Sequence, residues 1–311
     1  LLYLDNDGLV TYRFESLPAE GLQSPETGTV VHTVFTRLGG VSEAPFNTLN
    51  VGSTVGDDAA AVAENHARIY AHLGISAKQV ATAQQVHGNR VGVVTAADGG
   101  GLFPSTDGLV TDEPRIALLL RFADCQPILL YDPVQHCLGL VHAGWRGIAL
   151  GIAQRAVETM VEAFDTQPET LIAGLGPAIG PCCYTVSQEV ASALGYALSD
   201  WKEALQPEGE KWRFSLPSAN AQQLAKAGVR NVEQSHLCTA CHKDVFFSHR
   251  GDQGRTGRFA VVAYLNPNNG GEEKQALRED PEKPALEEGE VEDSLQPPGF
   301  PAFHEIGDGG P

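Results

Sequence analysis

The sequence predicts an α/β (α+β) fold: a single domain over residues 1–265, built as a mixed sheet flanked by helices. Three observations carry this. Short apolar runs bounded by turn residues recur at 116–122, 128–131 and 137–141, as in strands buried on both faces. Two longer stretches repeat apolar residues at helical spacing. Strands and helices also interleave irregularly, which fits a mixed sheet better than an all-parallel one.

Taken in order, residues 30–36 form a strand, and Arg37-Leu-Gly-Gly-Val-Ser42 is the loop leaving it. Asp57-Asp58 caps a helix in which Val62, His66, Ile69 and Leu73 share one face, closed by Gly74. Short strands follow at 80–83 and 91–95. Longer ones run over 116–122 and 128–131, and Asp132-Pro133 turns the chain into 137–141. Residues 148–164 give the clearest helix, with Ala153, Val157, Met160, Val161 and Phe164 along one face. Helices at 187–198 and 218–227 and closing strands at 245–248 and 259–265 complete the domain. The Gly/Pro loop at 174–184 lacks the spacing of a nucleotide-phosphate loop.

Residues 266–311 contain 12 acidic and 3 basic side chains, so this segment contributes −9 of the chain's −18. Rich in Glu and Pro, it cannot bury a core and is expected to be a disordered tail. The remaining body is only mildly acidic, which argues against nucleic acid as a partner. No run approaches the roughly 18 apolar residues of a membrane span. The start, Leu1-Leu-Tyr-Leu-Asp5, lacks the basic and apolar regions of a signal peptide, and its lack of methionine fits a fragment or a trimmed product. Six cysteines without a signal read as thiols or ligands in a reducing compartment, so a cytoplasmic protein is expected.

The chemistry concentrates where apolar runs end in unusual residues. Arg121-Phe-Ala-Asp124-Cys125-Gln-Pro follows one run, His142-Ala-Gly-Trp-Arg146-Gly follows another, and Gln85-Val-His87-Gly88 lies upstream. Buried strands normally continue into Gly, Asn or Pro turns. His87, Cys125 and His142 make a three-ligand set of the kind catalytic zinc sites use, with a fourth position left for water or substrate. Copper suits the same donors.

A rival reading makes Cys125 a nucleophile and His142 its base. Arg146 and a nearby helix N-terminus would then lower the Cys125 pKa. Arg146 and Arg37 are candidates for holding an anion, and Asp124 for orienting a ligand or for acid/base work. Cys238-Thr-Ala-Cys241-His242 has the haem-attachment pattern without an export signal. A second zinc site with Cys182 and Cys183 meets the awkwardness of adjacent ligands, so buried structural thiols are expected here. The absence of H-x-H pairs excludes barrel-type adenosine deaminases and blue multicopper clusters, and the absence of H-x-E excludes zinc cytidine deaminases.

These motifs, with Thr36-Arg-Leu-Gly-Gly-Val-Ser42, Phe46-Asn-Thr-Leu-Asn-Val-Gly52, Val55-Gly-Asp-Asp58, Gly176-Pro-Ala-Ile-Gly-Pro-Cys-Cys-Tyr184 and Leu237-Cys-Thr-Ala-Cys241, resemble the YfiH-type family. It is also called the multicopper polyphenol oxidase or laccase-domain family. The resemblance covers about residues 30–265. It implies a fold similar to the core of a bacterial deamidase toxin that works through Cys and His. It also implies a metal, usually zinc, at His87, Cys125 and His142. The implied activity is phosphorolysis of adenosine, inosine and methylthioadenosine, with deamination of adenosine. Copper-dependent phenol oxidation and Cys-dependent editing of peptidoglycan precursors are the alternatives. Cys125, His142, His87, Asp124 and Arg146 are then the expected catalytic residues. Arg37, Asn47, Gln85 and Arg146 are expected to bind a purine nucleoside and phosphate. One departure stands out: Phe214-Ser215-Leu216 lies where many members have Asp between two leucines.

Overall fold

The structure is a computed structural model that describes residues 2–6, 8–18 and 29–266. The expected acidic tail, apart from Asn266, lies outside the described residues.

The apolar runs build two mixed sheets where the sequence suggested one. The first has seven strands in the order β1 (Leu2–Asn6), β2 (Leu9–Arg13), β3 (Val30–Phe35), β16 (Phe259–Leu265), β8 (Ala117–Phe122), β4 (Val80–Ala83) and β6 (Leu102–Phe103). The second has six: β15 (Asn231–Gln234), β11 (Ile172–Leu175), β9 (Gln126–Asp132), β10 (Cys137–Ala143), β7 (Gly108–Thr111) and β5 (Val91–Val93). A small third sheet joins β12 (Thr185–Val186), β14 (Lys211–Phe214) and β13 (Leu205–Glu208).

Side chains alternate across each strand, and this alternation assigns the layers. Leu118 and Leu120 of β8 and Val261 of β16 meet Leu129 of β9 and Leu138 and Leu140 of β10 in a core between the sheets. Their outward neighbours Leu119 and Val262 pack on Ile69 and Leu73 of α1 (Ala59–Leu73). On the far side, Ile128, Leu130 and Val141 pack on Ile152, Ala156 and Met160 of α3 (Ile152–Phe164). The result is helix on sheet on sheet on helix. A run apolar on both faces does not reveal whether a helix or a second sheet covers it, which is why the sequence suggested a single sheet.

Capping places the helices. Asp58 accepts the Ala61 N–H at the start of α1, and left-handed Gly74 ends it. Asn65 takes the buried place expected for His66, and its amide holds Ser42, the Thr48 and Asn50 carbonyls and the Val41 N–H. The expected helix at 148–164 is broken: α2 (Trp145–Ala149) starts inside the His142 motif, and α3 begins after Gly151 at φ +79°. After α4 (Gln188–Ala197) and the short α5 (Trp201–Ala204), α6 (Leu216–Lys226) starts two residues before the expected boundary. Ser215 caps it by accepting the Ser218 N–H, the task an Asp can perform at the same position. The expected strand at 245–248 is a turn, with the Val245 and Phe246 N–H groups donating to His242 O. Phe246 and Phe247 still enter the core between the sheets, and that is the source of the apolar signal.

Candidate metal centre

The centre is built on the open end of the β9–β10 hairpin. Cys125 immediately precedes β9 and His142 lies near the end of β10, where it pairs with Pro127 in the ladder. His87 comes from the loop after β4 and takes φ +60°, a region that side chains other than glycine seldom occupy. One donor atom from each of the three lies within 4.8 Å of the others. The His87 and His142 rings meet edge to face, with centroids 4.9 Å apart. His142 is buried, Cys125 partly so and His87 exposed, so the cluster opens towards solvent on the His87 side.

Asp107, just before β7, organises the cluster. Its Oδ1 lies 2.9 Å from His142 Nδ1 and accepts the His87 N–H, while Oδ2 accepts the Val86 and Gly88 N–H groups. Burial pushes the Asp107 carboxyl pKa up, but the His142 bond and charge and the backbone donors bring it below the ordinary range. An ionised carboxylate only accepts, so the proton of this bond sits on His142 Nδ1 and leaves Nε2 free as a ligand. The same backbone bonds hold His87 in its left-handed conformation.

Burial raises the Cys125 pKa, but the charges and hydrogen bonds of His142 and His87 outweigh it and bring the thiol down to about 6. Burial lowers the pKa of His142, and the Cys125 charge and Asp107 outweigh it, giving about 9. At neutral pH the pair is therefore thiolate and imidazolium, and a cation can replace the imidazolium proton. Gly144 permits this close approach: a Cβ there would stand 2.8 Å from Cys125 Sγ and 3.0 Å from His87 Cδ2, so a side chain would push the two donors away. A soft thiolate, two imidazoles and a side-chain-free approach fit zinc or copper.

The other expected site residues are placed as follows. Asp124 sits at φ +82°. Its Oδ1 accepts the Thr239 and Ser248 hydroxyls at 2.6 Å each, and its Oδ2 accepts the Arg250 N–H at 2.6 Å. The carboxylate thus clamps the chain beside Cys125. Arg37 binds Asn47 O, Asn47 Oδ1 and Lys243 O, lies 3.8 Å from Asp252 and stacks on Phe247, so its guanidinium ties loops together. The Gln85 amide bonds Arg121 N and O and continues the β4–β8 pairing past the end of β4. Arg146 is exposed and stacks on Trp145, with no ion pair among the described residues. Arg258 is half-buried beside the charges of Cys125 and Asp124.

The sequence reading missed Asp107 and Arg258. An Asp directly before the short strand-like stretch 108–111 was the available signal for the first; Arg258 had none. The expectation of buried structural thiols at 182, 183, 238 and 241 is corrected as well. Cys182 and Cys241 are exposed, and all four sulfurs converge within 4.8 Å of one another.

Residues 31–266 match the family described as multi-copper polyphenol oxidoreductase laccase. The purine nucleoside phosphorylase YlmD of Geobacillus stearothermophilus is 39% identical over 78% of this chain and 92% of its own length. A purine nucleoside phosphorylase of Deinococcus radiodurans is 40% identical over 78% and 91%. The crystal structure of the Bacillus licheniformis hypothetical protein YfiH superimposes with TM-score 0.77 at 34% identity, over 85% of this chain and 99% of that one. That of Geobacillus YlmD gives 0.77 at 35%, over the same shares. Among the described residues, no helix is long and apolar enough to cross a membrane. With sequence, fold and a His-Cys-His cluster in agreement, this chain belongs to the multi-copper polyphenol oxidoreductase laccase family, the YfiH-type proteins.

Proposed function

We propose that this protein is a zinc-dependent purine nucleoside enzyme that phosphorolyses adenosine, inosine and methylthioadenosine and deaminates adenosine. The observation that carries the reading is the His87–Cys125–His142 donor set, with its neutral-pH thiolate and its close packing on Gly144. The names of the relatives supply the substrate class. His87 Nδ1 or Nε2, Cys125 Sγ and His142 Nε2 would hold the ion. When bound, zinc supplies Lewis-acid polarisation and lowers the pKa of water, as attack at purine C6 requires.

The protein's own residues do the rest. Asp107 locks the His142 tautomer and the His87 backbone, so two ligands are positioned before any substrate arrives. In phosphorolysis a phosphate oxygen bonds ribose C1′ as the C1′–purine bond breaks, and the purine leaves with a proton. Arg146, exposed and without an ion-pair partner among the described residues, is assigned to hold the phosphate. Arg258, on the Cys125 side, is assigned to help it. Incubation of the metal-analysed protein with adenosine and phosphate, followed by mass spectrometry, tests this. Adenine with ribose 1-phosphate, and inosine from deamination, are expected, all lost in His87→Ala. Absence of ribose 1-phosphate with zinc bound would refute phosphorolysis.

One observation favours a second reading. Cys125, His142 and Asp107 stand in the order of a nucleophile, base and orienting carboxylate, so metal-free protein has the parts of a thiol amidase. Such an enzyme could trim peptidoglycan precursors. Covalent labelling of Cys125 by an electrophilic amide analogue, only after zinc removal, would support it. Phenol oxidation by copper would call on the same single His-Cys-His set, which offers two imidazoles. Elemental analysis separates the metals.

A further inference from the structure

We propose that Cys182, Cys183, Cys238 and Cys241 form a second, structural zinc site, separate from the His-Cys-His centre. Two distant segments supply the ligands: the Gly/Pro loop 176–184 and the turn at 237–241. Cys241 Sγ stands 3.6 Å from Cys182 Sγ and 3.4 Å from Cys183 Sγ. All four sulfurs lie within 4.8 Å of one another. Four sulfurs tetrahedral about zinc at roughly 2.3 Å are spaced about 3.8 Å apart, inside this range. Cys238 and Cys241 keep the two-residue spacing of chelating pairs. The adjacent pair, awkward on paper, lies in a turn closed by the Cys183 N–H donating to Gly180 O, and this lets both sulfurs reach Cys241.

Two further observations point to a ligand. The Gly180 N–H donates to Cys238 Sγ at 3.2 Å, an outer-sphere bond of the kind that stabilises a metal thiolate. A Cβ on Gly180 would stand 3.2 Å from both Cys182 Sγ and Cys238 Cβ, so this glycine leaves room for the sulfurs to gather.

Four protein thiolates fill a tetrahedron and leave no open position, so the ion is structural and not catalytic. Its role follows from what the two segments carry. The Ala178 N–H donates to Leu237 O and the Thr239 N–H to Ala178 O, and the Thr239 hydroxyl grips Asp124 next to Cys125. The Ile179 N–H donates to Asp124 O from the other segment. The ion would therefore staple both loops that set the position of Cys125.

The test is metal stoichiometry on the full chain, reconstituted with zinc under reducing conditions. Wild type should bind two ions per chain. The double variant His87→Ala/Cys125→Ser should drop to one, and the X-ray absorption of that remaining zinc should show four sulfur neighbours. This readout leaves the four cysteines intact and does not depend on a cysteine variant folding. Cys238→Ser/Cys241→Ser should also bind one, at the His-Cys-His centre. Failure of His87→Ala/Cys125→Ser to retain zinc, a nitrogen- and oxygen-rich shell, or a disulfide to Cys241 in reduced protein would each overturn the proposal.

Discussion

Asp107 Oδ1 lies 2.9 Å from His142 Nδ1 and also accepts the His87 backbone N–H, so one buried carboxylate fixes two of the three candidate ligands. Replacing it should disturb the metal before it disturbs the fold. Asp107→Asn keeps the shape and loses the charge, and should weaken zinc binding on the order of 10- to 100-fold. Competition with a chromophoric chelator measures this; unchanged affinity would remove Asp107 from the site. Asp107→Ala should also cost stability, on the order of 1.5–3 kcal/mol, because the Val86, His87 and Gly88 N–H groups lose a charged acceptor.

The Cys125 thiol, brought from 9.0 to about 6, should react in metal-free protein as a thiolate at neutral pH. Lowering the pH protonates it. Alkylation should therefore be nearly flat from pH 7 to 8 and fall below about 6, followed by peptide mapping to isolate Cys125. Asp107→Asn, by weakening the His142 charge, should move the midpoint up. A midpoint above 8 in the wild-type chain would contradict the thiolate–imidazolium pairing.

Gly144→Ala should eliminate metal binding while leaving the hairpin folded. Its Cβ would stand 2.8 Å from Cys125 Sγ, far inside ordinary contact. Circular dichroism should be unchanged while zinc content falls below one-tenth of wild type. Retention of a full equivalent would mean that the ion sits elsewhere.

Thr239→Val removes one donor from the Asp124 carboxylate without changing side-chain shape. A hydrogen bond to a charged group contributes about 1.5–3 kcal/mol, so urea unfolding should show a loss of that order. Because Asp124 holds φ +82° only under this clamp, Cys125 placement should loosen too. A stable variant with unchanged zinc affinity would show that Ser248 and Arg250 suffice.

The strands at 116–122 and 259–265 were legible because burial on both faces forces nearly continuous apolar runs, and α1 because Asp58 and Gly74 mark its ends. The division into two sheets was not legible, since identical runs serve either arrangement. The three candidate ligands stood out as polar residues where turns were expected. Asp107 did not, because its role depends on three N–H groups twenty residues upstream that only the fold brings to it. Arg37 and Gln85 attracted attention for their chemistry, yet both satisfy backbone groups at loop and strand edges. The two cysteine pairs lie more than fifty residues apart, so only the fold shows that the adjacent Cys182 and Cys183 both reach Cys241.

Cys125 and His142 stand at the two free ends of one antiparallel ladder, with Ala143 opposite Gln126 and Cys137 opposite Asp132. This makes the centre unequally sensitive to changes in chain length. An insertion or deletion at the tip, residues 133–136, leaves the ladder in register and both ligands where they are. A single deletion within β9 or β10 shifts one ligand by about 3.3 Å along its strand and turns it to the opposite face. The number of residues between tip and ligand is therefore a tighter constraint on the centre than the length of the tip itself.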